Sequence, residues 1–442
     1  MGKDLWNMNL TVFHGKDVKE YAFQPDGGAE KQLLNLYPDC EGETFEGFGG
    51  AITDAAGYVY SFMEEKDRNH LMKTCFTSEG MNYEWVRIPI DSCDFSTQMY
   101  EAMSDPRDRA LKSFSFERTE TYILPMLSDA QKAAGRPLSI MLSPWSPPAF
   151  MKTNESRIGG SLKKEYYSFW AAYICRYIKE FVDRGFRVKR ISLQNEPKAW
   201  QTWDSCVFTA EEEKSFLKVM DRALKEHGLS NVEVFFWDHN KERVFERARS
   251  VIDDQTKEMV TGAACHWYSG DHFESLDLMR KYYPGLKLIM SESCIEYSIY
   301  EKDDKANAFR LSHEIIGDLS HGISSFIDWN ILLDGSGGPN HKGNLCLSPF
   351  MYDIEKRQLK EMELLSHYMQ FAHFIQAGDV RIASSAYTRD LENTAFRKPD
   401  GSLVVVLLNR TAKELPVKVR LKGQIATIRL PEESLVTCVV KE

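Results

Sequence analysis

At 442 residues, with 43% hydrophobic and 27% charged side chains, the chain is too long for one small core and fits one large α/β domain with an appendage. A formal charge of −10 argues against nucleic acid or an anionic membrane surface as the main partner. No apolar stretch approaches the length of a membrane span, so stable membrane insertion is not expected, and nine scattered cysteines without a C-x-x-C pair signal neither a disulfide scaffold nor a thiolate zinc site.

The opening Met1-Gly2-Lys3-Asp4-Leu5-Trp6 has no apolar run behind a basic start. No signal peptide is therefore expected, and cytoplasmic residence with reduced thiols is, or secretion if a leader has been removed. Leu10-Thr11-Val12-Phe13 and Leu33-Leu34-Asn35-Leu36 are strand-like. Eight apolar runs follow, separated by stretches long enough for helices: Phe45 to Thr53, Tyr83 to Asp91, Leu138 to Ser146, Val188 to Glu196, Val232 to Asn240, Thr261 to Ser269, Leu286 to Glu292 and Ser324 to Leu332. Eight is the number of strands a (β/α)8 TIM barrel requires. Between them, Glu165 to Ile178 places apolar residues on one helical face, and Thr209-Ala210-Glu211-Glu212 has the spacing of a capping box. Leu311 to Leu319 and Glu361 to Phe374 also read as helices, whereas the charge-rich stretch Lys241 to Asp254 has the weakest helical pattern. From Ile375 the pattern becomes that of short strands, as in Ser402 to Leu408, Pro416 to Leu421 and Leu435 to Val440, separated by turns such as Pro399-Asp400-Gly401. The expected fold is α/β: a barrel over residues 45–375 and an antiparallel β-sandwich built from both chain ends, residues 1–44 and 376–442.

In a barrel of parallel strands, chemistry sits where the strands finish. Glu196 in Gln194-Asn195-Glu196-Pro197 and Glu292 in Met290-Ser291-Glu292-Ser293 each close a run, and Pro197 stops its strand because it has no N–H for the ladder. They fall at strands four and seven, facing each other across the barrel mouth. Two carboxylates converging there are the equipment of glycoside hydrolysis. Asp91 and Asp94 follow strand two, Trp145 follows strand three, Asn195 precedes Glu196, His266-Trp267-Tyr268 ends strand six, and Trp329-Asn330 ends strand eight. Tryptophans that stack and Asp or Asn that bind hydroxyls suit a sugar. Asn195 is placed for a 2-hydroxyl, and Tyr268 for a hydrogen bond that positions Glu292. Like charge is expected to raise Glu196 while Glu292 is ionised. His239 and His266 lie at adjacent strand ends without a third ligand of recognisable spacing, so no metal or other cofactor is expected. The Gly-rich loop Leu333 to Asn344 lacks the phosphate-loop spacing and is read as shaping the sugar pocket.

Phe48-Gly49-Gly50-Ala51-Ile52-Thr53-Asp54-Ala55, Arg87-Ile88-Pro89, Ser92-Cys93-Asp94-Phe95-Ser96, Ser143-Pro144-Trp145-Ser146-Pro147-Pro148, Gln194-Asn195-Glu196-Pro197, His266-Trp267-Tyr268 and Gly337-Gly338-Pro339-Asn340 together resemble glycoside hydrolase family 30, the glucosylceramidase family. The resemblance runs from about Phe45 to the end of the chain. It implies a retaining β-glycosidase on a barrel with a sandwich made from both termini, Glu196 as acid/base and Glu292 as nucleophile. It also implies Asp94, Trp145, Asn195, Trp329 and Asn340 as contacts of the terminal sugar, and Tyr268 as a contact of the nucleophile. Two departures are visible: Ser291-Glu292-Ser293 stands where Thr-Glu-Ala or Thr-Glu-Gly is usual, and Pro148-Ala149-Phe150 stands where relatives tend to carry a tryptophan. The expected partner is a β-linked glycoside, either a β-glucoside or, within the same family, a β-1,6-glucan, β-xyloside or β-fucoside. A catalytically silent glycan-binding barrel is the reading from another class.

Overall fold

The computed structural model describes residues 8–441, so the leader expectation on Met1 to Trp6 lies outside the described residues. Eight strands close into a barrel in chain order: Phe48–Ala51, Trp85–Ile90, Ser139–Pro144, Arg187–Ser192, Glu233–Asn240, Gly262–His266, Lys287–Glu292 and Ile323–Asn330, here barrel strands one to eight. Every neighbouring pair is parallel. Barrel strands are covered on both faces, which is why strands two and three are buried at every residue and read as continuous apolar runs.

Helices surround the barrel. Tyr167–Asp183 buries one apolar face, and Ala210–Glu226 begins with the capping box formed by Thr209 and Glu212. The stretch after strand five is a short 3-10 turn, Lys241–Arg243, followed by a two-turn helix, Val244–Val251. Its charges are partly internal: Lys241 is buried, with its ammonium between Glu314 and Asp318.

Both chain ends enter one ten-stranded sheet. Its order is Asp17–Ala22, Asn9–His14, Ser434–Lys441, Leu403–Asn409, Leu391–Arg397, Val380–Ala386, Leu33–Thr44, Leu415–Leu421, Gln424–Leu430 and Gln24–Pro25. All pairs are antiparallel except Leu33–Thr44 with Leu415–Leu421. Its own core gathers Leu10, Leu34 and Leu36 from the front of the chain with Val405, Leu407 and Val436 from the back. Five of its strands, Asp17–Ala22, Gln24–Pro25, Val380–Ala386, Leu391–Arg397 and Gln424–Leu430, have no counterpart among the runs read from the sequence. Arg381, Glu392 and Arg429 on these strands use charge at positions that an apolar pattern passes over.

The barrel interior is layered. Trp85, Met141, Phe235, Ala264, Ile289 and Ile327, one from each of six strands, form a single apolar cluster. At the N-terminal end, Arg190 pairs with Glu46 and Glu233, and Lys287 with the same two carboxylates at 2.7 Å each. Side chains two residues apart share a strand face, so Arg87, Ser143, His266, Ser291 and Trp329 rise from the apolar layer at the other end. That end carries the polar cluster described next.

Candidate active site

Arg87 organises the cluster. Its side chain is fully buried, donates to Glu292 Oε2, to Asn195 Oδ1 and Asp238 Oδ2 at 2.8 Å each, and to Ser143 Oγ at 3.1 Å. Its guanidinium carbon lies 4.9 Å from the Trp145 ring centre and 5.2 Å from that of Trp329. These two indoles stack on each other, with centres 5.0 Å apart and planes at 21°. Each is 2% exposed, so neither presents an open face to a ligand.

Glu292 ends strand seven as expected. It receives the Tyr268 O–H on Oε1 at 2.9 Å. Glu196 does not end strand four, which stops at Ser192. The chain leaves the strand and turns through Leu193 to Pro197, with the Asn195 N–H on the Pro144 carbonyl and the Glu196 N–H on the Asp238 carbonyl, both at 2.9 Å. Glu196 has φ +46 in that turn. Neighbouring strands therefore place this carboxylate, and Pro197 comes too late to end the ladder.

Asp238 departs from the alternation along strand five. Trp237 (φ +73) and Asp238 (φ +46) are left-handed, and the register against strand six shifts there, so Asp238 joins the polar layer. It accepts from Arg87, from the Ser291 hydroxyl at 2.6 Å, and lies 3.1 Å from His266 Nε2. Burial alone would raise its pKa, but the charges of Arg87 and His266 hold it well below the usual carboxylate range.

His266 connects the two glutamates. Its Nδ1 is 3.3 Å from Glu196 Oε1 and 3.9 Å from Glu292 Oε1. Burial would lower its pKa, but the charge of Glu292 and the hydrogen bonds to Asp238 and Glu196 raise it to about 9. Glu196 moves the opposite way to the expectation from like charge. Burial raises it, but the hydrogen bond with His266, the charges of His239 and His266 and the hydrogen bond from Gln201 together outweigh that and hold it at about 2. The proton expected on Glu196 therefore rests on its histidine partner in the unliganded protein. Glu196 Oε2 also accepts from Gln201 at 3.2 Å.

Asp94 and Asn340 meet on the other side of the mouth, the amide donating to Oδ2 at 3.1 Å. Burial, followed by the charge of Glu292, pushes the Asp94 carboxyl up to about 8. The Gly-rich loop is held by Asp334, which accepts from the N–H groups of Ser336, Gly337 and Gly338. Asp91 is not part of this cluster. It turns outward at φ +61 and accepts from the hydroxyls of Tyr173 and Tyr177.

The structure thus brings together Glu196, Glu292, Asp94, Trp145, Asn195, His266, Tyr268, Trp329 and Asn340. Arg87, Asp238 and Ser291 were missed as site residues. A signal existed for the first two: Arg87 interrupts an apolar strand and Asp238 directly follows the apolar run Val234 to Trp237, so each must be paired. The expectation that His239 and His266 lack a third convergent group needs correcting, because Glu196 supplies one, with the three ligand atoms within 4.8 Å of one another. Glu196 Oε1 and His266 Nδ1 are already hydrogen-bonded to each other, an acid–base arrangement.

A protein-family model described as the glycosyl hydrolase family 30 TIM-barrel domain matches residues 45–375, and one described as the family 30 beta sandwich domain matches residues 378–438. Lysosomal acid glucosylceramidase of Mus musculus is 30% identical over 406 residues, covering 88% of this chain and 79% of its own. Endo-1,6-beta-D-glucanase of Neurospora crassa is 24% identical over 431 residues, covering 93% and 88%. Among solved structures, SrfJ from Salmonella typhimurium superposes with a TM-score of 0.94 at 33% identity over 98% of this chain and 99% of its own.

Proposed function

The chain belongs to glycosyl hydrolase family 30 and is a glycoside hydrolase, and from that premise we propose that it hydrolyses β-glucosides with retention, Glu292 acting as nucleophile and Glu196 as acid and base. The observation that carries the reading is the single imidazole nitrogen lying 3.3 Å from one glutamate and 3.9 Å from the other, with Arg87 and Tyr268 on the second. Two carboxylates that share one imidazole nitrogen are neighbours; a carboxyl separation of about 5–5.5 Å suits direct attack at carbon, whereas inversion needs roughly 6.5–9.5 Å to seat a water between carboxylate and sugar.

Glu292, held by Arg87 and Tyr268, attacks the anomeric carbon as the bond to the leaving oxygen breaks. That oxygen takes the proton held by the His266–Glu196 pair, delivered through Glu196. The carbon–Glu292 ester then breaks as water attacks the same carbon and Glu196 accepts the water proton. Asn195, held by Arg87, is set to bond the 2-hydroxyl, and Asp94 with Asn340 to bond hydroxyls on the far side of the ring.

Two measurements test this. Proton NMR of the first product formed from an aryl β-glucoside is expected to show the β-anomer before mutarotation, and the α-anomer would overturn retention. The pair holds one proton until His266 loses it, so kcat/KM is expected to fall as pH rises through about 9, not through the ordinary histidine value of 6.5. A basic limb near 6.5 would refute the shared proton.

A further inference from the structure

Trp200 is the most exposed large hydrophobic residue among the described residues, at 67%. It sits four residues beyond Glu196, after a turn closed by the Ala199 N–H on the Glu196 carbonyl, and its neighbour Gln201 donates to Glu196 Oε2. One side of the indole lies on Gly159 of the loop after strand three. A Cβ at Gly159 would fall 2.0 Å from the ring, and φ there is +59, so only glycine lets the ring lie this close. The two loops are tied together beneath it, Gly159 donating to Ser205 Oγ at 3.0 Å and Val207 to the Gly160 carbonyl at 2.8 Å. The rest of the ring is open to solvent.

We propose that Trp200 is the platform of a leaving-group subsite and that the group it takes is a second sugar ring. The inference rests on the role given above to Glu196, because the group receiving that proton lies on the acid's side of the site. Trp145 and Trp329 are closed against each other, and of the two indoles on the acid's loop Trp203 packs partly buried against the core while Trp200 is exposed. A pyranose offers an apolar C–H face to stack on an indole and a polar rim for its surroundings. Here the surroundings are polar: Lys198 and Thr202 are exposed on the same loop, and Asn154 on the facing one. An alkyl or ceramide chain needs a continuous apolar groove, and no other exposed large hydrophobic residue occurs between residues 148 and 208 except Val182, at the far end of its helix.

The test compares Trp200→Ala and Trp200→Phe with the wild type on three substrates: a β-1,6-linked glucose disaccharide, octyl β-glucoside and β-glucosyl fluoride. Trp200→Ala is expected to raise KM for the disaccharide on the order of tenfold, with a smaller change in kcat, and Trp200→Phe to recover most of the loss. The effect should shrink to about twofold or less on the fluoride, which has no ring to stack. An equal loss on all three substrates would make Trp200 merely structural, and a loss confined to octyl β-glucoside would make the subsite one for lipid. No loss on the disaccharide would also overturn the proposal. Binding is read separately by iodide quenching of tryptophan fluorescence in the Glu292→Gln protein, with and without the disaccharide. Protection that vanishes with Trp200→Ala supports the platform even if the wild type hydrolyses nothing, an outcome that would sink the β-glucosidase reading alone, whereas absence of protection refutes the platform.

Discussion

Glu292→Gln is expected to lower kcat on an aryl β-glucoside by roughly 10⁵- to 10⁶-fold, the scale of losing a covalent nucleophile, or about 7–8 kcal/mol of barrier. The substitution keeps shape and most contacts. The amide can turn its oxygen toward Arg87 and its NH2 toward the Tyr268 hydroxyl, the two groups that now hold the carboxylate. Arg87 retains Asp238 as a counter-charge. Thermal unfolding should therefore move by no more than a hydrogen bond's worth, about 1–2 kcal/mol. The check is a rate measurement on protein whose melting curve is intact. A variant that keeps one part in a hundred of the activity would remove Glu292 from the nucleophile's place.

Arg87→Met is expected to cost both activity and stability. Arg87 is the buried cation between Glu292 and Asp238, and removing it leaves two carboxylates at the barrel mouth with only His266 to oppose them. Breaking one side of such a buried arrangement costs roughly 3–5 kcal/mol, because the remaining charges stay desolvated. Without the guanidinium Glu292 and Asn195 also lose the donor that fixes their orientation, so kcat should fall steeply. The pH dependence has a definite sign. Asp238 is held below its ordinary pKa, so the stability it contributes is present above the usual carboxylate range and lost as pH falls through its depressed value in the fold. The deficit of Arg87→Met should therefore be larger at pH 7 than in acid, where protonation relieves the stranded charges. Arg87→Lys separates charge from geometry: an ammonium restores the counter-charge but cannot reach Ser143, Glu292, Asn195 and Asp238 at once as a planar fork does. Stability should recover more than activity. A Met variant as stable as the wild type at pH 7 would mean that the carboxylates find solvent or protons by another route.

The eight barrel strands were legible because they are covered on both faces and so appear as mainly apolar runs with few polar interruptions. The capping box at Thr209 and the strand-end position of Glu292 were legible for an equally local reason: their signals lie within a few neighbouring residues. The sharing of one sheet by both chain ends could be guessed from strand-like runs before and after the barrel, but five of its strands are short or interrupted by polar and charged residues and gave no such signal.

The sequence by itself determined which residue types stand at or just beyond the ends of the barrel strands, and hence the family and the pair of glutamates. Only the tertiary structure decided how they are held. Glu196 is placed four residues past its strand by hydrogen bonds to the neighbouring strands, and Asp238 enters the cluster through a register shift between strands five and six. His266 takes the proton that like charge had assigned to Glu196, because Asp238, Glu196 and Glu292 all converge on one buried imidazole. Trp200 is open while Trp145 and Trp329 are closed because of what packs on each ring, Gly159 in one case and another indole in the other. These outcomes depend on partners distant along the chain, and periodicity, which reports only on near neighbours, carries no record of them.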